Sequence, residues 1–322
     1  MILSKDIETA AKLLRENEVV ALPTETVYGL AANAFSNEAI SKIFKVKERP
    51  QTNPLIVHIA SMDQLDQITT SISENAKRLA AHFWPGPLTL LLPKTEKISD
   101  LVTAQSPLVA VRMPDHPLTL ALLRELEFPL VAPSANRYMS VSPTTAAHVA
   151  VNLTDRIPFI LDGGPCEKGL ESTVVGFDFN DQPQIYRLGA ITLEDLQSVI
   201  ATTTLFEHGE QDASPSPGMA KKHYAPKTPL RVVDDLKAYL ASHHLDPEKK
   251  IGVLSFGHQI GPQLGVSIYE LSTQKVLEEA SKKLYDGLYA LDENGLTELV
   301  VEWFEPRGLG RTLNDKLKRA SY

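Results

Sequence analysis

The sequence predicts a two-domain α/β protein, and three observations carry this. Amphipathic helical segments alternate with short, β-branched apolar runs, the pattern of helices packed on a sheet. The chain has 322 residues, more than one typical core holds, which gives a prior of roughly two domains. Between 202 and 229 the periodicity lapses, and Gly209, Pro215, Pro217, Gly218, Pro226 and Pro229 cluster there, as in a connecting stretch. The expected units are a first domain over 1–201, a connection over 202–229 that reads as a lid over a site in the first domain, and a smaller C-terminal α/β domain over 230–322.

Composition narrows the function classes. The formal net charge is −8, which argues against a globally basic nucleic-acid binder, so any phosphate site must rest on a local cluster. Cys166 is the single cysteine. It excludes an intrachain disulfide and a cysteine zinc site, and it fits a reducing compartment. Residues 1–17 lack the apolar core of a signal peptide, and no run approaches the ~18 apolar residues of a membrane span. A cytoplasmic location, with no membrane partner, is expected.

In chain order, residues 5–17 read as a helix with Ile7, Ala10, Ala11 and Leu14 on one face. A strand over 18–22 runs into Pro23-Thr24-Glu25-Thr26-Val27-Tyr28-Gly29-Leu30, a hydroxyl-rich strand end of the kind where α/β sheets place ligands. Ser36 can cap the next helix, which buries Ile40, Ile43 and Phe44. That helix hands Lys45, Lys47 and Arg49 to a stiff turn, because Pro54 biases Asn53 away from helix. The run 55–59 then reads as a buried strand. A helix over 73–83 ends at Trp84-Pro85-Gly86-Pro87.

Residues 87–93 and 108–113 are apolar strands, and the second ends in Arg112, a cation that needs an anion or carbonyls if buried. A helix over 117–127 and a strand over 128–132 lead into Pro133-Ser134-Ala135-Asn136. Ser142-Pro143-Thr144-Thr145 carries a helix-start signature, with Ser142 as N-cap and Pro143 at the first helical position. A strand over 158–161 precedes Gly164 and Gly169, whose spacing imitates a P-loop; Leu170 and Glu171 follow where lysine and a hydroxyl are required, so the P-loop is rejected. Ser172 opens a further strand, Arg187 sits in a strand over 185–189, and a helix covers 192–200.

Beyond the connection, strands over 230–233, 251–256 and 299–304 alternate with helices over 234–243, 272–290 and 308–320, a βαβ-type unit. Gly308-Leu309-Gly310 lacks the third glycine of a dinucleotide fingerprint. Arg307, Arg311, Lys316, Lys318 and Arg319 read as a solvated helix face.

Strand ends and edges of the first 200 residues thus carry Thr26, Lys47, Arg49, His58, Arg112, Ser134, Asn136, Ser172 and Arg187. Glu25 and Glu171 are the only acids nearby. A serine elbow and a metal-ligand cluster are both missing. What remains is a cationic cleft for a phosphate-bearing small molecule, working by positioning and charge stabilisation.

These motifs, with Lys47-Glu48-Arg49-Pro50, Trp84-Pro85-Gly86-Pro87-Leu88-Thr89, Val111-Arg112-Met113-Pro114, Glu171-Ser172-Thr173-Val174 and Arg187-Leu188-Gly189, resemble the threonylcarbamoyl-adenylate synthase family (the YrdC-like domain). The family pairs a K-x-R with a distant S-x-N, here Lys47-x-Arg49 and Ser134-x-Asn136. The resemblance spans nearly all of 1–200. Ser216-Pro217-Gly218-Met219, His223-Tyr224-Ala225-Pro226 and the trailing domain are similar to the long, two-domain branch, with Ala220 departing from its usual larger residue.

The resemblance implies a twisted mixed sheet with a concave cationic cleft, followed by a Rossmann-like βαβ domain. It implies that L-threonine, bicarbonate and ATP give threonylcarbamoyl-AMP and pyrophosphate, for modification of an adenosine in tRNA completed by a separate transferase. Mg²⁺ would arrive mainly on the ATP phosphates, without a prosthetic group. L-Threonine would meet Thr26, His58, Arg112, Ala132 and Ser172. ATP would meet Lys47, Arg49, Asn53, Leu108, Ser134, Asn136, Ser142, Arg187 and Tyr224, with Lys47 and Arg49 as the catalytic pair that faces the triphosphate and offsets charge on the leaving group, and Tyr224 closing over ATP. Two rivals differ in class. A non-catalytic RNA-binding module could use the same cleft and is opposed by the net charge; weak RNA binding beside catalysis is a separate expectation. A hydrogenase-maturation carbamoyl-transfer domain is opposed by the lack of cysteine-rich zinc modules.

Overall fold

The structure is a computed structural model that describes residues 1–206, 223–243, 250–257, 260 and 265–321. Most of the connection, including Ser216-Pro217-Gly218-Met219 and Ala220, lies outside the described residues.

The first part of the chain contributes strands β1 (Ile2–Ser4), β2 (Val20–Leu22), β3 (Gly29–Asn33), β4 (Ile56–His58), β5 (Leu88–Pro93), β6 (Leu108–Arg112), β7 (Leu130–Val131), β8 (Phe159–Leu161), β9 (Thr173–Phe177), β10 (Pro183–Arg187) and β11 (Thr204–Leu205). They form one mixed sheet in the order β1-β8-β2-β3-β7-β4-β6-β5-β9-β10-β11. Its helices are α1 (Ile7–Arg15), α2 (Asn37–Lys47), α3 (Leu65–Ile68), α4 (Glu74–Phe83), α5 (Asp100–Thr103), α6 (Pro117–Glu125), α7 (Ala146–Leu153) and α8 (Leu193–Val199). The second part has a four-stranded parallel sheet, β12 (Leu230–Val233), β13 (Ile251–Phe256), β14 (Val266–Ser272) and β15 (Glu298–Glu302), in the order β12-β15-β13-β14. Helices α9 (Leu236–His243), α10 (Leu277–Asp292) and α11 (Leu309–Ala320) accompany it.

The local chemistry follows the expected rules where caps decide. Ser36 accepts from the amide of Ala39 and starts α2, whose buried face is Ala39, Ile40, Ile43 and Phe44. At the other end Glu48 takes a left-handed conformation, φ 56°. That residue turns the chain from α2 toward Arg49 and β4.

Three expectations need correction. The helix expected to start at Ser142 starts at Ala146, capped by Thr145, whose Oγ1 accepts from the His148 amide. The reason is competition for carbonyls: Pro143 O accepts from Tyr28 N at 2.8 Å and Thr144 O from Cys166 N at 2.9 Å, so neither is free to begin an α ladder. Residues 266–272 form a strand, and the helix expected from 272 begins at Leu277. The cationic face of α11 is not wholly solvated. Lys316 is 1 % exposed, because its ammonium donates to Leu188 O at 2.9 Å and lies 5.0 Å from the centre of the Tyr224 ring.

Candidate active site

The site sits where several strands of the large sheet end. β4 and β6 run parallel with His58 opposite Arg112, so the two side chains emerge side by side. β7 runs antiparallel to β4, and Ala132 N donates to Ile56 O at 3.0 Å, bringing the 132–134 segment to the same place. One pocket is lined by Thr26, Arg49, His58, Arg112, Ala132, Ser134, Ser172, Arg187 and Tyr224, together with Thr24, Glu171 and His223 among others. It therefore collects predicted residues from across nearly two hundred positions of sequence, Thr26 to Tyr224.

Each side chain is held before any ligand arrives. Thr24 Oγ1 donates to Val27 O at 2.6 Å and accepts from the amides of Thr26 and Val27, which fixes the turn carrying Thr26. Arg49 spends Nε on Asn53 O (3.2 Å) and one terminal nitrogen on Pro54 O (2.9 Å). Burial pushes its pKa down to about 10. Ser172 shares a 2.7 Å hydroxyl contact with Thr89, and Arg187 donates to Ser172 O and Oγ. His58 Nδ1 lies 3.2 Å from Ile56 O; with the proton there, Nε2 is left as an acceptor. Burial, then the positive charge of Arg112, lowers the His58 pKa to about 3. The ring is neutral at ordinary pH.

Arg112 donates from Nε to Gly86 O at 3.3 Å, and a terminal nitrogen touches Glu25 Oε1 at 2.5 Å. The Glu25 contact is an ion pair without hydrogen-bond alignment, since neither atom has a well-directed partner. The sequence singled out Arg112 as a cation in need of an anion; the structure supplies Glu25 as that anion.

Five expected residues do not open on the pocket. Lys47, 1 % exposed, lies behind the wall and donates to Ser134 O (2.5 Å) and Asn136 O (2.6 Å). Burial, then Arg49, pushes its pKa well down. Asn136 accepts from Ser134 Oγ at 2.6 Å and donates to Ser140 O at 2.7 Å, so the lysine of K-x-R and the S-x-N segment form one scaffold while Arg49 turns to the pocket. Asn53 and Ser142 are buried, with Asn53 Oδ1 and Ser142 Oγ unpartnered among the described residues. Leu108 sits at the start of β6, packed with Tyr186 against Ile56, Leu91, Ala110 and Val174.

Sequence reasoning gave no role to the second domain's side chains. Tyr285 on α10 donates to Glu171 Oε2 at 2.8 Å and stacks on Tyr224, with ring centres 5.7 Å apart. Its place in an ordinary amphipathic helix carries no signal of that reach. Among the described residues no cluster of three or more histidine, cysteine or acidic side chains could hold a metal ion. Nor is any helix there long and apolar enough to cross a membrane.

Known proteins are similar to this chain in sequence and in fold. Residues 12–189 match the Sua5/YciO/YrdC family described as telomere recombination, and residues 191–321 match the threonylcarbamoyl-AMP synthase C-terminal domain. The threonylcarbamoyl-AMP synthase of Bacillus subtilis is 43 % identical over 98 % of this chain and 92 % of its own length. The crystal structure of Pyrococcus abyssi Sua5 complexed with L-threonine superposes with a TM-score of 0.91 at 36 % identity, covering 100 % of this chain and 98 % of that one. A shorter threonylcarbamoyl-AMP synthase, from Vibrio vulnificus, is 36 % identical over only 49 % of this chain, yet 86 % of its own length.

Proposed function

From this chain's membership of the threonylcarbamoyl-AMP synthase family, in the form that carries the Sua5 C-terminal domain, we propose which residues carry the reaction. The enzyme is a nucleotidyltransferase that makes threonylcarbamoyl-AMP from L-threonine and ATP for tRNA modification. We read 1–201 as the catalytic domain, 202–229 as a connection whose His223 and Tyr224 line the pocket, and 230–322 as the C-terminal domain.

The observation that supports this best is the register of His58 against Arg112, with Ser172 and Thr26 at the same pocket. A planar guanidinium suits the carboxylate of threonine. Neutral His58 offers Nε2 to its hydroxyl, and Ala132 offers a backbone group. Arg49 and Arg187 face the ATP phosphates, and Ser134 and Tyr224 line the nucleotide side. Lys47 and Asn136 hold Ser134 in place from behind, and Asn53 fixes Arg49. Ser142 and the backbone at Leu108, which do not open on the pocket, would border the nucleotide once it is bound.

In the reaction, the threonine amine and bicarbonate give a carbamate and water. A carbamate oxygen attacks the α-phosphorus in line, and pyrophosphate leaves. Arg49 offsets charge growing on that leaving group. Mg²⁺ carried on the ATP phosphates would supply further neutralisation of that charge; among the described residues Glu171 is the one carboxylate lining the pocket. The product passes to a separate threonylcarbamoyl-transferase, in the cytoplasm. Pyrophosphate release that needs both threonine and bicarbonate tests the reading. Equal release without threonine would overturn it.

A further inference from the structure

We infer that the C-terminal domain builds part of the active-site wall through two positioning residues, Tyr285 and Lys316, which set Glu171 and Tyr224 against the substrates. The inference rests on the assignment of Ser172 to threonine and Tyr224 to ATP.

Tyr224 is 1 % exposed, yet its hydroxyl has no partner among the described residues and its ring lines the pocket. Its φ is +63°, a left-handed conformation that costs free energy for a bulky residue and persists only when its surroundings enforce it. Those surroundings come largely from the second domain. Tyr285 stacks on the ring, and the Lys316 ammonium lies 5.0 Å from its centre. The amide of the preceding His223 donates to Arg319 O at 3.1 Å. Lys316 also donates to Leu188 O, and Thr312 Oγ1 to Gly189 O at 3.0 Å, immediately beyond Arg187.

Glu171 is gripped in a similar way. Tyr285 binds Oε2 and leaves Oε1 buried without a partner. An anion in a wall of arginines is attracted to whichever cation is nearest. The Tyr285 hydroxyl fixes its direction, and with it the backbone that carries Ser172. Two substrates are therefore set by two different side chains. Tyr285 acts on the threonine side through Glu171, while Lys316 acts on the ATP side through Tyr224.

Steady-state kinetics of the full chain separates the two. Tyr285→Phe keeps the ring stack and loses one hydrogen bond to a charged group, so the threonine KM should rise about tenfold with the ATP KM nearly constant. Lys316→Gln keeps a donor for Leu188 O and removes the cation, so the ATP KM should rise severalfold, in the range of a desolvated cation–π contact, with the threonine KM nearly constant. Lys316→Arg should restore most of the loss. Unchanged KM values in Tyr285→Phe would overturn the inference. So would a parallel rise of both KM values accompanied by a lower melting temperature in either variant, the mark of a purely structural role. A wild-type enzyme that releases no threonine-dependent pyrophosphate would instead sink the functional reading beneath it.

Discussion

Arg49 reaches the pocket already anchored by the carbonyls of Asn53 and Pro54; in the proposed ATP-binding role its charge is then placed before ATP binds and little reorganisation remains for the transition state. Arg49→Ala should lower the rate of pyrophosphate release at least about tenfold, as removal of one stabilising donor typically does; an unchanged rate would take Arg49 out of the mechanism. His58 gives a pH prediction. Its folded pKa of about 3 lies below the ordinary histidine value, so between those limits the unfolded chain binds a proton that the folded chain refuses. Stability therefore rises with pH through that window and is lost on acidification from about pH 6.5 downward. Burial lowers His223, His116 and His148 as well, so all four share the sign. Melting temperature against pH should fall less steeply in His58→Gln, by up to about one proton of linkage; an identical slope would show that His58 titrates normally. The identities of such residues were legible in the sequence, since strand ends with hydroxyls and cations point to a ligand edge. Their partners were not. Lys47 and Arg49 read as equals along the chain. Two positions on a helix end swing the side chains apart, one into the 134–136 scaffold and one into the pocket.

At the level of elements, the exit of β10 shows how little slack the site has. A side chain at Gly189 would meet Ser172 C at 2.4 Å and Glu171 O at 2.5 Å, both backbone. The segment that presents Glu171 and Ser172 would have to move. Gly189→Ala should thus lower the melting temperature and weaken threonine binding together, by calorimetry and titration; unaltered threonine affinity would show that β9 and β10 can separate without cost to the site. The strong periodic elements were readable because burial and helical period coincide, as in α2 and α4. The short strand β3 was not. Its sequence Gly-Leu-Ala-Ala-Asn has little β-branched content, and pairing with β2 and β7 rather than propensity makes it a strand. The start of α7 misled for a related reason. Ser142-Pro143 is a fair local start signal, but the carbonyls of Pro143 and Thr144 are used by distant amides, and a local rule cannot see that.

For the whole molecule, the question is what the second domain adds to a reaction whose shorter Vibrio relative carries the same enzyme name over half the length. The two other large apolar clusters of the first part draw only on residues up to 200, so that part has a core of its own. The cluster beneath α10 and α11 is different. It draws Val27, Val141 and Leu170 from the first part into contact with Tyr224, Tyr285, Leu284 and Leu313 among others. The domains therefore share a core at the point where the pocket is walled. A chain ended at 204 should stay folded by circular dichroism. It should expose those three apolar side chains at a cost of roughly 1.5–3 kcal/mol each, and so bind a hydrophobic dye. It should lose turnover, because Tyr224 and the side chains that fix it are gone while Arg112, His58 and Ser172 remain. Residual threonine affinity with no pyrophosphate release is the expected pair of results. A truncated chain with full turnover would reduce the second domain to a passenger, and one that unfolds would show that the shared core, rather than the pocket wall, is its contribution.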